Sequence, residues 1–361
     1  MYLIALSMVP GIGSLTARQL IAHFGSAKAV FSAPKGKLMR VQGIGEVTSS
    51  EILKSETLAK AEQVLVDAEK RGIKILSIND LEFPIKLKEI PDAPLFIYWQ
   101  GEISPVFQRS VAIVGTRQAT EYGKTVTENI ISELIAYKPV IVSGFAYGID
   151  IVAHKAALAQ GLPTIAVLGG GLGKVYPAQH KKYVEQVMAT GAMVSEYSYN
   201  TEPSPMHFPA RNRIVAGMVD AVIVVEAAES GGALITAEIA NSYDRDVFAV
   251  PGNIGNKYSE GCNKLIASNV AAIFSSVKEM AKVLNWDLDG NAPSAKPKID
   301  LSSLNQIQLN LYNSLAEKGG LDIDTLSWQL QMNMNQLAAM LLDMEIQGFV
   351  KPMPGKKFKI A

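Results

Sequence analysis

Six short apolar runs between residues 111 and 250 constrain this chain more than any other feature. Val111–Val114, Val140–Val142, Thr164–Leu168, Met193–Ser195, Ala221–Val225 and Val247–Val250 are dominated by Val, Ile and Ala at consecutive rather than alternate positions. Strands of that kind are buried on both faces. Helical patterns near Gly123–Ala136, Ile151–Gln160, Lys181–Ala189 and Leu234–Tyr243 separate them. Strand and helix in alternation predict an α/β fold with a doubly wound, mostly parallel sheet. Ligands of such sheets sit outside the carboxyl ends of the strands.

The chain has 361 residues, too many for one small core. The spacing predicts a helical domain over 1–75, the sheet domain over 76–287, a linker over 288–300 and a last domain over 301–361. The first segment repeats itself: Val9-Pro10-Gly11-Ile12-Gly13 returns as Val41-Gln42-Gly43-Ile44-Gly45, each opening a helix. Such glycine turns expose N–H groups at a helix N-terminus, which suits a phosphate oxygen. They resemble paired helix-hairpin-helix motifs that hold DNA backbone, and equally fit two tight turns packed together. The linker is rich in Pro, Ala and Gly and has no apolar period. Helices at about Leu304–Leu315, Asp322–Leu330 and Asn333–Ile346, followed by a short ribbon, give winged-helix order. The third helix carries no Lys or Arg, which points this domain towards a protein partner.

One cysteine, Cys262, excludes an internal disulfide and fits a reducing cytoplasm. His23, His154, His180 and His207 share no metal-ligand spacing, and no metal or cofactor is expected. The apolar N-terminus lacks a basic start and is too short to span a bilayer, so no membrane role is expected. Net charge is zero, but residues 1–75 carry +4 and residues 76–287 carry −4. A polyanion site in the middle must therefore be a local pocket.

Four strand ends carry polar chemistry. Gly115-Thr116-Arg117 follows the first run, with a hydroxyl and a guanidinium suited to an anion. Ser143-Gly144 and Tyr147-Gly148 follow the second, with Asp150 placed as an N-cap and His154 one turn along; both read as structural. The loop after the third brings up Lys174, but Leu168 and Val175 break a phosphate-loop pattern. Ser230-Gly231 after the fifth turns into another helix N-terminus, where Glu226 and Glu229 would oppose a phosphate and so pair with an arginine or meet a base edge. The densest cluster is His207-Phe208-Pro209-Ala210-Arg211-Asn212-Arg213: two guanidiniums, an amide between them and an aromatic face, just ahead of an apolar helix start. No nucleophile elbow or triad order accompanies these groups, so a binding module rather than an enzyme is expected.

Together these segments resemble the DNA-processing protein A family, also called Smf. The resemblance rests on Gly115-Thr116-Arg117, Ser143-Gly144 with Gly148-Ile149-Asp150, Gly169-Gly170-Gly171 with Tyr176-Pro177, Phe208 through Gly217, Ser230-Gly231-Gly232 and Val250-Pro251-Gly252. It covers about residues 80–275 densely. It implies an extended Rossmann-like fold and a homodimer that binds single-stranded DNA and loads the RecA recombinase during natural transformation. It places Arg117, Ser143-Gly144, Arg211 and Arg213 on phosphates, and offers Phe208 as a stacking face. Two departures stand out. Tyr147 occupies a position that is usually basic, and Ala178 replaces a lysine after Tyr-Pro, leaving Lys174, Lys181 or Lys182 to supply the charge. An alternative is a nucleotide-processing hydrolase like the lysine-decarboxylase-like phosphoribohydrolases, whose Pro-Gly-Gly element Glu229 through Glu238 approaches without its proline.

Overall fold

The computed structural model describes residues 1–54, 56–286, 304–318, 320–330, 332–347, 349–353 and 357–360. The expected linker over 288–300 lies outside them. They form two compact units, Met1–Leu288 and Asp289–Ala361.

The first unit is built on a nine-stranded sheet. In chain order its strands are β1 (Lys74–Ser77), β2 (Phe96–Gly101), β3 (Ser110–Val114), β4 (Val140–Ser143), β5 (Thr164–Val167), β6 (Ala192–Ser195), β7 (Ala221–Val224), β8 (Asp246–Ala249) and β9 (Ala272–Ile273). In space they run β1-β2-β6-β5-β4-β3-β7-β8-β9. Every pair from β6 to β9 is parallel, while β1 pairs β2 and β2 pairs β6 antiparallel. β3 through β8 are the six expected runs, and all but the exposed first residue of β8 are buried along their length. β1, β2 and β9 were not expected. β2 follows Pro91 and Pro94, and its Trp99 is almost wholly buried.

Helices Glu121–Leu134, Ile149–Ala159 and Gly232–Ser242 match expectation within two residues. The expected helix from Lys181 starts later, at Val184, after a 3-10 turn over Ala178–Tyr183. Helix His207–Gly217 starts earlier than expected: the polar cluster lies on the helix rather than ahead of it. Pro209 does not prevent this, since proline is tolerated in a first turn.

The helices of residues 1–70 share one apolar core with the sheet. Leu6, Leu20, Leu38 and Ile52 pack in a cluster that also holds Phe96, Tyr98, Ala166 and Met193. The boundary near residue 75 thus separates kinds of element within one compact unit. The two glycine turns open helices Ser14–Phe24 and Glu46–Ile52. A Cβ on Gly11 would meet the Thr48 hydroxyl at 3.8 Å, so the first turn lies against the helix that the second one opens.

The second unit has helices Gln306–Lys318, Ile323–Leu330 and Met334–Ile346, and a sheet of β10 (Leu321–Asp322), β11 (Val350–Met353) and β12 (Lys357–Ile360). This is the expected winged-helix order. Asn333 caps the third helix by accepting from Gln336 N at 2.9 Å. Leu311, Leu315, Leu326, Leu337 and Leu341 fill its core.

Candidate nucleic-acid interface

From β3 the chain builds the sheet outwards to β6 on one side, then returns to build β7, β8 and β9 on the other. The carboxyl end of β3 is therefore a topological switch point, where crossover loops part and leave a crevice. A cavity of about 610 Å³ opens there. The loop after β3 supplies Gly115, Thr116 and Arg117; that after β4 supplies Gly144; helix His207–Gly217 supplies Phe208, Arg211 and Asn212; the loop after β7 supplies Ser230 and Gly231. Nine of the sequence-predicted residues thus converge.

Arg117 is exposed and holds its guanidinium 5.5 Å from the centre of the Phe208 ring. Tyr176 also lies beside Phe208, with ring centres 5.7 Å apart. Helix Gly232–Ser242 starts at the cavity wall with Gly231 as its N-cap and no side-chain cap. Its first-turn N–H groups and the positive end of its dipole favour an anion.

Arg211 differs from the expected free cation. It is buried, and its Nη1 donates to the carbonyls of Gly144, just past β4, and Val167, the last residue of β5. Its Nε donates to Asn212 Oδ1 at 3.1 Å. Nη2 is the nitrogen left without a protein acceptor among the described residues. A Cβ on Gly144 would fall 2.5 Å from this guanidinium, so a larger residue there would displace it. Burial lowers the Arg211 pKa to about 10, with the Asp150 charge opposing and Arg117 adding to the fall. Arg211 therefore stays cationic at neutral pH. Burial likewise raises the Asp150 carboxyl, and Arg211 opposes that rise.

Asp150 does not sit at the N-cap; Gly148 does. Gly148 has φ +76°, and a Cβ there would lie 2.0 Å from the Thr116 carbonyl. The Asp150 carboxylate turns back to accept from Ala146 N at 3.3 Å. His154 does not pair with it. Its Nδ1 lies 2.7 Å from Thr164 Oγ1, whose proton goes to the Ile141 carbonyl at 2.9 Å. Nδ1 must therefore be the donor, which leaves Nε2 bare, buried and unpartnered.

Other expected residues point elsewhere. The Ser143 hydroxyl is fully buried and donates to the Ile113 carbonyl at 2.7 Å, bridging β4 to β3 rather than facing an anion. Thr116 does line the cavity, but its N–H is taken by the Glu226 carbonyl at 2.7 Å. Arg213 is neutralised by Glu196, with both carboxylate oxygens at 2.6 Å from Nη2, and also donates to the Asp92 carbonyl. Lys174 pairs with Glu202 at 2.6 Å, in a narrow cleft beside the cavity. Tyr147 donates to Gln179 Oε1 at 2.6 Å, on the turn that carries exposed Lys181 and Lys182, away from the cavity lining. Glu226 meets neither an arginine nor the cavity: its carboxylate accepts from Thr120 N at 2.9 Å and Thr120 Oγ1 at 2.5 Å, anchoring the start of helix Glu121–Leu134. Tyr176 was missed as a lining residue, although an aromatic closing a glycine-rich loop was its signal.

Among the described residues no group of three or more His, Cys, Asp or Glu side chains could hold a metal ion, and no helix is long and apolar enough to cross a membrane.

A family model for DNA recombination-mediator protein A matches residues 74–285. Models for the DprA winged helix domain and a SAM-like helix-hairpin-helix tandem match residues 294–356 and 3–55. Protein Smf of Synechocystis sp. is 31% identical, over 99% of this chain and 98% of its own length. The crystal structure of DNA processing protein A from Streptococcus pneumoniae superposes with a TM-score of 0.66 at 31% identity, covering 77% of this chain and 95% of that one. A structure of DNA processing protein A from Helicobacter pylori, described for its single-stranded DNA binding mode, superposes with a TM-score of 0.52 at 29% identity, covering 59% and 95%. With its three segments in this order and a switch-point cavity within the first unit, the chain belongs to the DNA recombination-mediator protein A family, DprA/Smf.

Proposed function

We propose that this protein binds single-stranded DNA at the switch-point cavity and acts as a recombination mediator, a cytoplasmic homodimer that protects incoming strands and loads RecA during natural transformation. The observation that carries the binding step is the pairing of Arg117 with the Phe208 ring, in the same cavity lining as Arg211, whose Nη2 has no protein acceptor among the described residues, and the uncapped helix start at Gly231. Phosphate oxygens meet two guanidiniums and a helix N-terminus, while a base stacks on an aromatic face. Neither contact reads sequence, which suits a protein that must accept any strand. The H. pylori relative, with its single-stranded DNA binding mode, supports the same ligand. RecA loading and the homodimer rest on family membership. Asn212, Thr116 and Ser230 complete the cradle, and Lys181 and Lys182 offer charge on the flank beside Tyr147. Asp150 is the one carboxylate among the lining residues and is buried next to Arg211, which favours a binder over a hydrolase.

Fluorescence anisotropy with single-stranded and duplex oligonucleotides in a salt series tests this reading. Wild type is expected to prefer the single strand, with a log–log salt slope of about −0.7 per phosphate neutralised. Arg117→Ala is expected to weaken binding at least about tenfold and make the slope shallower, since a charge-assisted contact is worth roughly 1.5–3 kcal/mol. Unchanged binding by Arg117→Ala moves DNA off the cavity and overturns the proposal.

A further inference from the structure

The loop that follows β8, residues 251–259, leaves the sheet at the same edge as the cavity and is tied to it at two points. Tyr258 O accepts from Ala227 N at 2.8 Å, and Ala227 lines the cavity. The Tyr258 hydroxyl donates to Gln118 Oε1, on the residue next to Arg117. Asn263 closes the base of the loop, accepting from Gly252 N at 3.2 Å and donating to Gly252 O at 2.9 Å. At its tip Ile254 is 99% exposed, just before the left-handed turn at Gly255. Lys257 is exposed, with its Nζ 5.2 Å from the centre of the Tyr258 ring.

We propose that this loop continues the single-strand track beyond the cavity, with Tyr258 as a second stacking platform and Lys257 as its backbone cation. The inference rests on the single-strand reading above. Its warrant is a repeated arrangement. Arg117 over Phe208 and Lys257 over Tyr258 are both a cation above a ring, and the Gln118–Tyr258 hydrogen bond joins them. β3 and β8 are separated by β7 alone, so the two loops leave the sheet about 10 Å apart. A base needs an aromatic face and its phosphate a cation, and this edge offers both twice. An apolar tip such as Ile254, with no packing partner to bury it, suits contact with an unstacked base.

The test is anisotropy with oligothymidylates of about 4 and about 16 nucleotides, lengths that bracket known single-strand sites. Tyr258→Ala is expected to weaken binding of the long strand about tenfold, and of the short strand by much less. Tyr258→Phe, which keeps the ring and loses only the bond to Gln118, is expected to restore most of the affinity. Lys257→Gln, a surface change that leaves the fold intact, is expected to make the long-strand salt slope shallower by about 0.7. If wild type binds the long strand but Tyr258→Ala and Lys257→Gln match it in affinity and slope, the extended track is wrong and the cavity reading stands. If wild type binds neither length, both readings fail together.

Discussion

His154 shows how much of this interior is set by single residues. Its ring is enclosed by Phe145, Thr164 and His180, with the Arg211 charge in reach. Burial first, then His180 and Arg211, lower its pKa to about 3. In the unfolded chain the same ring titrates near 6.5. Between those values the unfolded state binds the extra proton, so stability falls as pH drops through the window, by at most about 1.4 kcal/mol per unit. His180, also lowered, adds to the trend. Asp150, raised by burial, runs the other way. Denaturant unfolding from pH 7 to pH 4 is expected to show this loss, and His154→Gln to show a flatter profile. Parallel profiles would mean that other groups set the acid limb. Residue identity alone made His154 a structural histidine, and it is one. The partners of the charged residues were not legible: Arg213 lies 17 positions from Glu196 and Lys174 lies 28 from Glu202, and only the folded loops bring them together. Ser143 was misjudged for the same reason, since the carbonyl that takes its proton belongs to a neighbouring strand.

At the scale of elements, consecutive apolar residues made β3 to β8 readable, because a strand covered on both faces has no polar positions to confuse the pattern. β2 and β9 lacked that signal. β2 is an aromatic run behind several prolines, and β9 is two residues long. Helix His207–Gly217 was hidden by its polar residues, since the charged and amide side chains that line the cavity erase the apolar stripe that marks an ordinary helix. The start of helix Glu121–Leu134 depends on a distant residue. Thr120 caps it by accepting from Gly123 N at 3.2 Å, and Glu226 holds Thr120 in place. Glu226→Ala is expected to cost about 2 kcal/mol by removing two hydrogen bonds to a charged acceptor, read as a lower denaturant midpoint at unchanged slope. A midpoint equal to wild type would mean that the cap stands by itself.

At the scale of the whole molecule, the chain divides once among its described residues, into Met1–Leu288 and Asp289–Ala361. Each unit has its own apolar cluster. A chain ending after Trp286 is therefore expected to melt at the temperature of the first unit in the intact protein, by calorimetry. A fall of more than about 4 °C would show that the second unit supports the first. Charge is also partitioned at this scale. Overall the chain is neutral, and the pairs Arg213–Glu196 and Lys174–Glu202 cancel cations near the cavity. What remains is a short-range field, cut off within about 10 Å at ordinary salt. On the proposed function, a strand is then not drawn in from a distance: encounter is expected to proceed by diffusion, with ionic strength governing how long a captured strand stays rather than how often one arrives.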